Sequence, residues 1–78
     1  MPRYFFDIGE DRYDKDTEGT DLADDDEARV QAVVFAGDYL RDHPEVVWEG
    51  SRFSVTVRGE GDVVLQTIMV TSEEPGEP

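Results

Sequence analysis

Between Asp24 and Pro44 the chain carries one apolar stripe at helical spacing, and on either side of it the apolar residues switch to alternation. Ala28, Ala32, Phe35, Ala36, Tyr39 and Leu40 recur at three- and four-residue steps, which gathers them on one face of a helix. Val33 widens that stripe, and Val30 and Val34 begin a second apolar flank. Both ends are marked by their chemistry. Asp24 is a good N-cap, Glu27 follows at capping-box spacing, and Asp25 and Asp26 fall where the helix dipole favours negative charge. Arg41 and His43 close the last turn, and Pro44 cannot continue it. The pattern predicts a helix over Asp25–Asp42.

The flanking segments read as strands. Tyr4, Phe6 and Ile8 alternate with Arg3, Phe5 and Asp7, and aromatic residues suit a pleated, half-buried surface. Gly9 to Asp16 is polar and turn-like, and Glu18 to Leu22 forms a short second strand with a bend at Gly19. After the helix, Glu45 to Ser51 reads as a loop. Phe53, Val55 and Val57 then alternate with Ser54, Thr56 and Arg58, and Gly59-Glu60-Gly61-Asp62 is a turn of hairpin length. In the last strand, Val64, Ile68 and Val70 share one face and Val63, Leu65 and Met69 the other. With both faces apolar, that strand is either central or in contact with a partner.

The expected fold is therefore α+β: a small antiparallel-dominated sheet (strand, short strand, helix, strand, strand) with one helix packed on one face. Residues 1–71 form one domain, and 72–78 read as a disordered acidic tail. A core this small gains from docking or self-association. With no cysteine there is no disulfide scaffold and no Cys-based zinc site or nucleophile. No secretory leader or membrane span is legible, so a soluble, cytoplasmic protein is expected.

Charge narrows the partners. Twenty Asp and Glu face seven Lys and Arg, and the stretch from Asp7 to Glu27 alone holds eleven acids against Arg12 and Lys15. Such a field repels nucleic acids and anionic membranes and attracts cations and basic protein surfaces. A general solubilising surface explains the same composition equally well.

The opening Met1-Pro2-Arg3-Tyr4-Phe5-Phe6-Asp7-Ile8, and Asp16-Thr17-Glu18-Gly19-Thr20-Asp21-Leu22 followed by Asp26-Glu27-Ala28-Arg29, resemble a known family. It is a family of small single-domain alphaproteobacterial proteins of unknown function. The resemblance is close over about the first 36 residues. It implies no activity, cofactor or catalytic residue. The family often has Pro where Ala23 stands. The resemblance also implies that Asp16 and Gly19 are turn elements steering the chain from the first strand to the helix cap, Gly for its φ and Asp as acceptor of a local N–H.

Few residues are candidates for chemistry. Asp14, Asp16, Glu18 and Gly19 match the start of an EF-hand calcium loop, but Asp25 stands where a bidentate Glu is needed, and no helix enters the loop. Specific calcium binding is not expected. The carboxylates lack an apolar pocket to separate their pKa values, and His43 suits helix capping. No catalytic residue, metal or cofactor is assigned. An enzyme would need a cavity between two copies, lined by Tyr39, Trp48 or Arg58. Trp48 either closes the end of the core or marks an interface.

Two functional readings remain: a non-enzymatic protein-interaction or self-associating module, and a nucleic-acid mimic or antitoxin-like inhibitor of a basic protein. The candidate partner surface is Asp24, Asp25, Asp26 and Trp48.

Overall fold

The computed structural model describes residues 2–10, 13–50, 52–73 and 75–76. Strand β1 spans Arg3–Gly9, and two short pieces follow it, β2 (Tyr13–Asp14) and β3 (Thr20–Asp21). Helix α1 occupies Asp25–Asp42, as its pattern predicts. A 3₁₀ stretch, Pro44–Gly50, stands where a plain loop was expected. Strands β4 (Arg52–Arg58) and β5 (Val64–Thr71) complete the chain. All pairings are antiparallel, in the order β2-β1-β4-β5, with β3 also on β1.

The helix ends follow the residues that mark them. The Asp24 carboxylate accepts the Glu27 N–H at 2.8 Å, while Glu27 reaches back to the Ala23 N–H at 3.1 Å. This is a capping box whose return bond falls one residue outward, on Ala23 and not on Asp24. At the other end the His43 N–H donates to the Tyr39 carbonyl, and the two rings meet in a tilted contact at 4.5 Å.

Tyr4, Phe6, Phe53, Val55 and Val57 face the helix from the sheet, and Ala28, Ala32 and Ala36 meet them. Three alanines let the helix axis approach closely. Full burial of Phe53, Val55 and Val57 contributes about 1.5–3 kcal/mol each. Phe35 and Tyr39 extend the layer by stacking on Phe6 and Phe53. Val33 does not join it: Val30, Val33 and Val34 are 60, 56 and 47% exposed. The predicted stripe is narrower than drawn because three small residues already fill the gap to the sheet.

The β4–β5 hairpin turns through Glu60–Asp62, where Gly61 and Asp62 take φ of 70° and 62°. A bulge at Leu65 sets Val57 opposite Gln66 and Arg58 opposite Val64. It exchanges two expected positions. Leu65 packs with Ile68 and Val70 against the core, while Val64 is exposed. The extra residue shifts the alternation by one step.

Candidate functional site

Tyr4 pairs with Thr20 and Ile8 with Asp14, so four steps along β1 face six on the other side. The surplus arches out between β2 and β3, and one side chain fills the gap it leaves. Asp16 Oδ2 accepts the Phe6 N–H at 3.2 Å, and Oδ1 accepts those of Glu18 and Gly19 at 3.1 and 3.2 Å. Gly19 has φ 77°, and a Cβ there would stand 2.7 Å from Arg3 Cγ. Asp16 and Gly19 thus have the turn geometry read from the sequence. The reach of Asp16 into the sheet was not legible, because the Phe6 amide it satisfies belongs to a distant strand.

Beneath this arch lies a buried ion pair that no local motif announces. Asp7 is fully buried and Arg58 nearly so. The guanidinium donates to both Asp7 oxygens, at 2.6 and 3.0 Å, and to the Asp16 carbonyl at 2.9 Å. Asp7 also accepts the Asp16 N–H at 2.9 Å, and Asp62 bonds Arg58 from the hairpin turn. Phe5 stacks against the guanidinium at 4.8 Å. Hydrogen bonding to Asp7 raises the Arg58 pKa further, against the opposing effect of desolvation. Arg58 therefore does not project from a polar face as expected, nor is it free to line a cavity between copies. The arch covers what would otherwise be the solvent side of the sheet.

The acidic candidates lie at the helix N-terminus. Asp24 is committed to the cap, Asp25 accepts the Tyr4 hydroxyl at 2.7 Å, and exposed Asp26 pairs with Arg29 at 3.3 Å. The hydrogen bond to Asp25, then burial, pushes the Tyr4 pKa up to about 12. With Glu60, Val63 and Leu65 these residues rim an open cleft of about 600 Å³. The side chain of Trp48 lies outside the described residues. At the far end of the helix, burial and then the bond to Glu10 raise the Tyr39 pKa. Among the described residues, no three Asp, Glu or His side chains converge in a way that could hold a metal ion.

The opposite edge is β5. Hydrogen bonding on β1 determines which of its amides are open. The Phe6 N–H points away from β4, to Asp16, so Phe6 and Val57 form a non-hydrogen-bonded pair. Val57, Val55 and Phe53 then direct their amides toward β5, where Gln66, Ile68 and Val70 receive them. Thr67, Met69 and Thr71 consequently point N–H and C=O to the free side. No described strand pairs with them there. From Val63 to Ser72 the sequence holds no charged residue, in a chain where 35% are charged.

A helix laid on an antiparallel sheet, with one edge closed and one open, defines a small α+β domain. The chain belongs to the family described as a domain of unknown function (DUF6894), whose model matches residues 3–71. That match runs from the first residue of β1 to the last of β5. No curated protein and no solved structure matches the chain. No helix among the described residues is long and apolar enough to cross a membrane.

Proposed function

We propose that this domain is a non-enzymatic interaction module that accepts an added strand along β5. One observation carries the reading: an eight-residue edge strand whose outward amides are open and whose sequence bears no charge. Sheet edges are ordinarily blunted by lysine, proline, bulges or a covering segment, because an open edge templates pairing. Beyond the Leu65 bulge at its start, β5 carries no lysine and no proline; the 3₁₀ stretch meets only its far end, where the Ser72 hydroxyl donates to the Val47 carbonyl, and Met69 is 58% exposed. Backbone pairing supplies affinity, and alternate side chains supply selectivity.

A second reading, mimicry of nucleic acid toward a basic protein, rests on the carboxylates of Asp24, Asp25, Asp26 and Glu60 around one cleft. The two readings separate in a capture experiment from native lysate with wild type and Met69→Pro. Proline removes an outward N–H and leaves the β4 ladder intact. Stoichiometric partners retained in moderate salt and lost with Met69→Pro support strand addition. A basic partner indifferent to Met69→Pro and released by salt overturns it in favour of mimicry.

A further inference from the structure

Resting on that reading of β5, we infer that the added strand is the β5 of a second copy, paired antiparallel about a two-fold axis through Met69. In this register Thr67 meets Thr71 of the second copy, Met69 meets its counterpart, and Thr71 meets Thr67. All three open residues are used, and each pair exchanges N–H and C=O. An isologous contact needs a self-complementary surface, and an uncharged strand of Thr, Met and Val is one.

Charge selects the location. Two chains of net charge −13 repel each other over most of their surface. The stretch Val63–Ser72 is the longest uncharged run in the sequence, and it forms the open edge. The helix is patterned the same way. Gln31, Val34, Phe35 and Asp38 line a cleft with Phe6 and Leu22, on the β1 side. A helix advances about 100° per residue, so Val33, Gly37 and Leu40 fall on the opposite flank, over β5. That flank carries Arg29 and, beyond the first turn, no acid.

Spacing fits as well. Helix α1 packs on both β4 and β5. Strands lie about 4.8 Å apart, so a helix over the β4–β5 seam stands about one strand spacing from the two-fold axis. The axis is perpendicular to the sheet, and both helices lie on the same face. Their separation is then about 10 Å, within the range of packed helices. Gly37 acquires a reason here. A Cβ added to it would meet nothing within 4 Å in a single chain, so the monomer fold does not require glycine there. Between two helices it permits close approach.

The chain lacks cysteine, so a single introduced thiol reports the register. Met69→Cys under mild oxidant should give a covalent dimer, since hydrogen-bonded partners sit at disulfide-compatible separation. Thr17→Cys, on the arch, should not. Sedimentation should show a wild-type dimer that tightens as salt screens like charge, and Met69→Pro should weaken it at least about tenfold. A wild type that stays monomeric at every concentration and salt overturns the second-copy assignment. If its captured partners are still lost with Met69→Pro, strand addition by another protein stands. A dimer that persists in Met69→Pro and gives no Met69→Cys cross-link overturns both.

Discussion

Along β1 the sheet edge is occupied piece by piece. Leu22 bonds the Pro2 carbonyl, β3 covers Arg3 and Tyr4, Asp16 takes the Phe6 amide, and β2 covers Ile8 and Gly9. Along β5, Thr67, Met69 and Thr71 turn their amides outward and meet no described strand. The closed edge uses acids: Asp7 and Asp16 hold the arch, and Asp21 pairs with Arg3 at 3.3 Å. The open edge has no charge at all. In one small sheet, charged side chains do structural work on one side and are excluded from the other. The contrast separates acids that hold the fold from a surface kept clear for contact.

The closed edge breaks most severely at its ion pair. Arg58→Met strips the buried Asp7 carboxylate of its guanidinium partner and frees the Asp16 carbonyl. Loss of one partner of a buried pair costs about 3–5 kcal/mol, which is much of a small domain's stability. Urea unfolding should show the cooperative transition moved to low denaturant or abolished. An unchanged midpoint would mean that the arch, not the pair, closes this edge.

The arch itself is the next largest effect. Asp16→Ala removes the acceptor of three backbone N–H groups and should cost about 2–3 kcal/mol. Asp16→Asn is the sharper test. Its carbonyl can keep the turn bonds to Glu18 and Gly19, but its amide group cannot accept from Phe6. Recovery of about half the loss would separate the local turn from the reach into the sheet. Gly19→Ala places a methyl against Arg3 and Phe5 at positive φ and should cost about 1–2 kcal/mol, read from the same curves.

How much of this was legible follows from how local each determinant is. The helix bounds and the N-cap came directly from Asp24, Glu27, the alanine spacing and Pro44, all of which act within a turn or two. The β4 core face came from strict alternation. What was missed depends on residues far apart in the chain. Asp7 and Arg58 are 51 positions apart, and nothing local says that they meet. Asp7 among Tyr4, Phe5, Phe6 and Ile8 was a signal, since an acid inside an aromatic strand needs a partner. The β5 register was misread for another reason: a bulge is one residue of backbone, invisible to a two-residue period. The openness of the β5 edge needed topology, but its uncharged run was in plain view.

Alkali probes how the two ends of the helix are anchored on the β1 side. The Tyr4 hydroxyl bonds Asp25 only while protonated, and its pKa stands near 12 in the fold against 10.0 for free tyrosine. A raised pKa favours the fold fully below pH 10, and that contribution fades as pH climbs from 10 toward 12. Thermal midpoints of wild type should therefore fall through this window. Tyr4→Phe should start lower and fall less steeply, with Tyr39 accounting for the remaining slope. Parallel curves would show that Asp25 does not depend on the Tyr4 proton.

The smallest effect on folding makes the finest distinction at the open edge. Glycine inside an exposed helix costs about 0.5–1 kcal/mol relative to alanine, and Gly37 has no neighbour that excludes a methyl. Gly37→Ala should raise unfolding stability by that amount at concentrations where the protein is monomeric. If the flank over β5 receives a second helix, Gly37→Leu should keep that gain and yet weaken the dimer in sedimentation. Gln31→Glu, on the β1 side of the helix, should leave association unchanged. A Gly37→Leu variant that folds better and associates as wild type would confine the contact to the strands. A loss of association with unimpaired folding would make glycine at this position a feature of the assembled sheet, one that the single chain retains at its own expense.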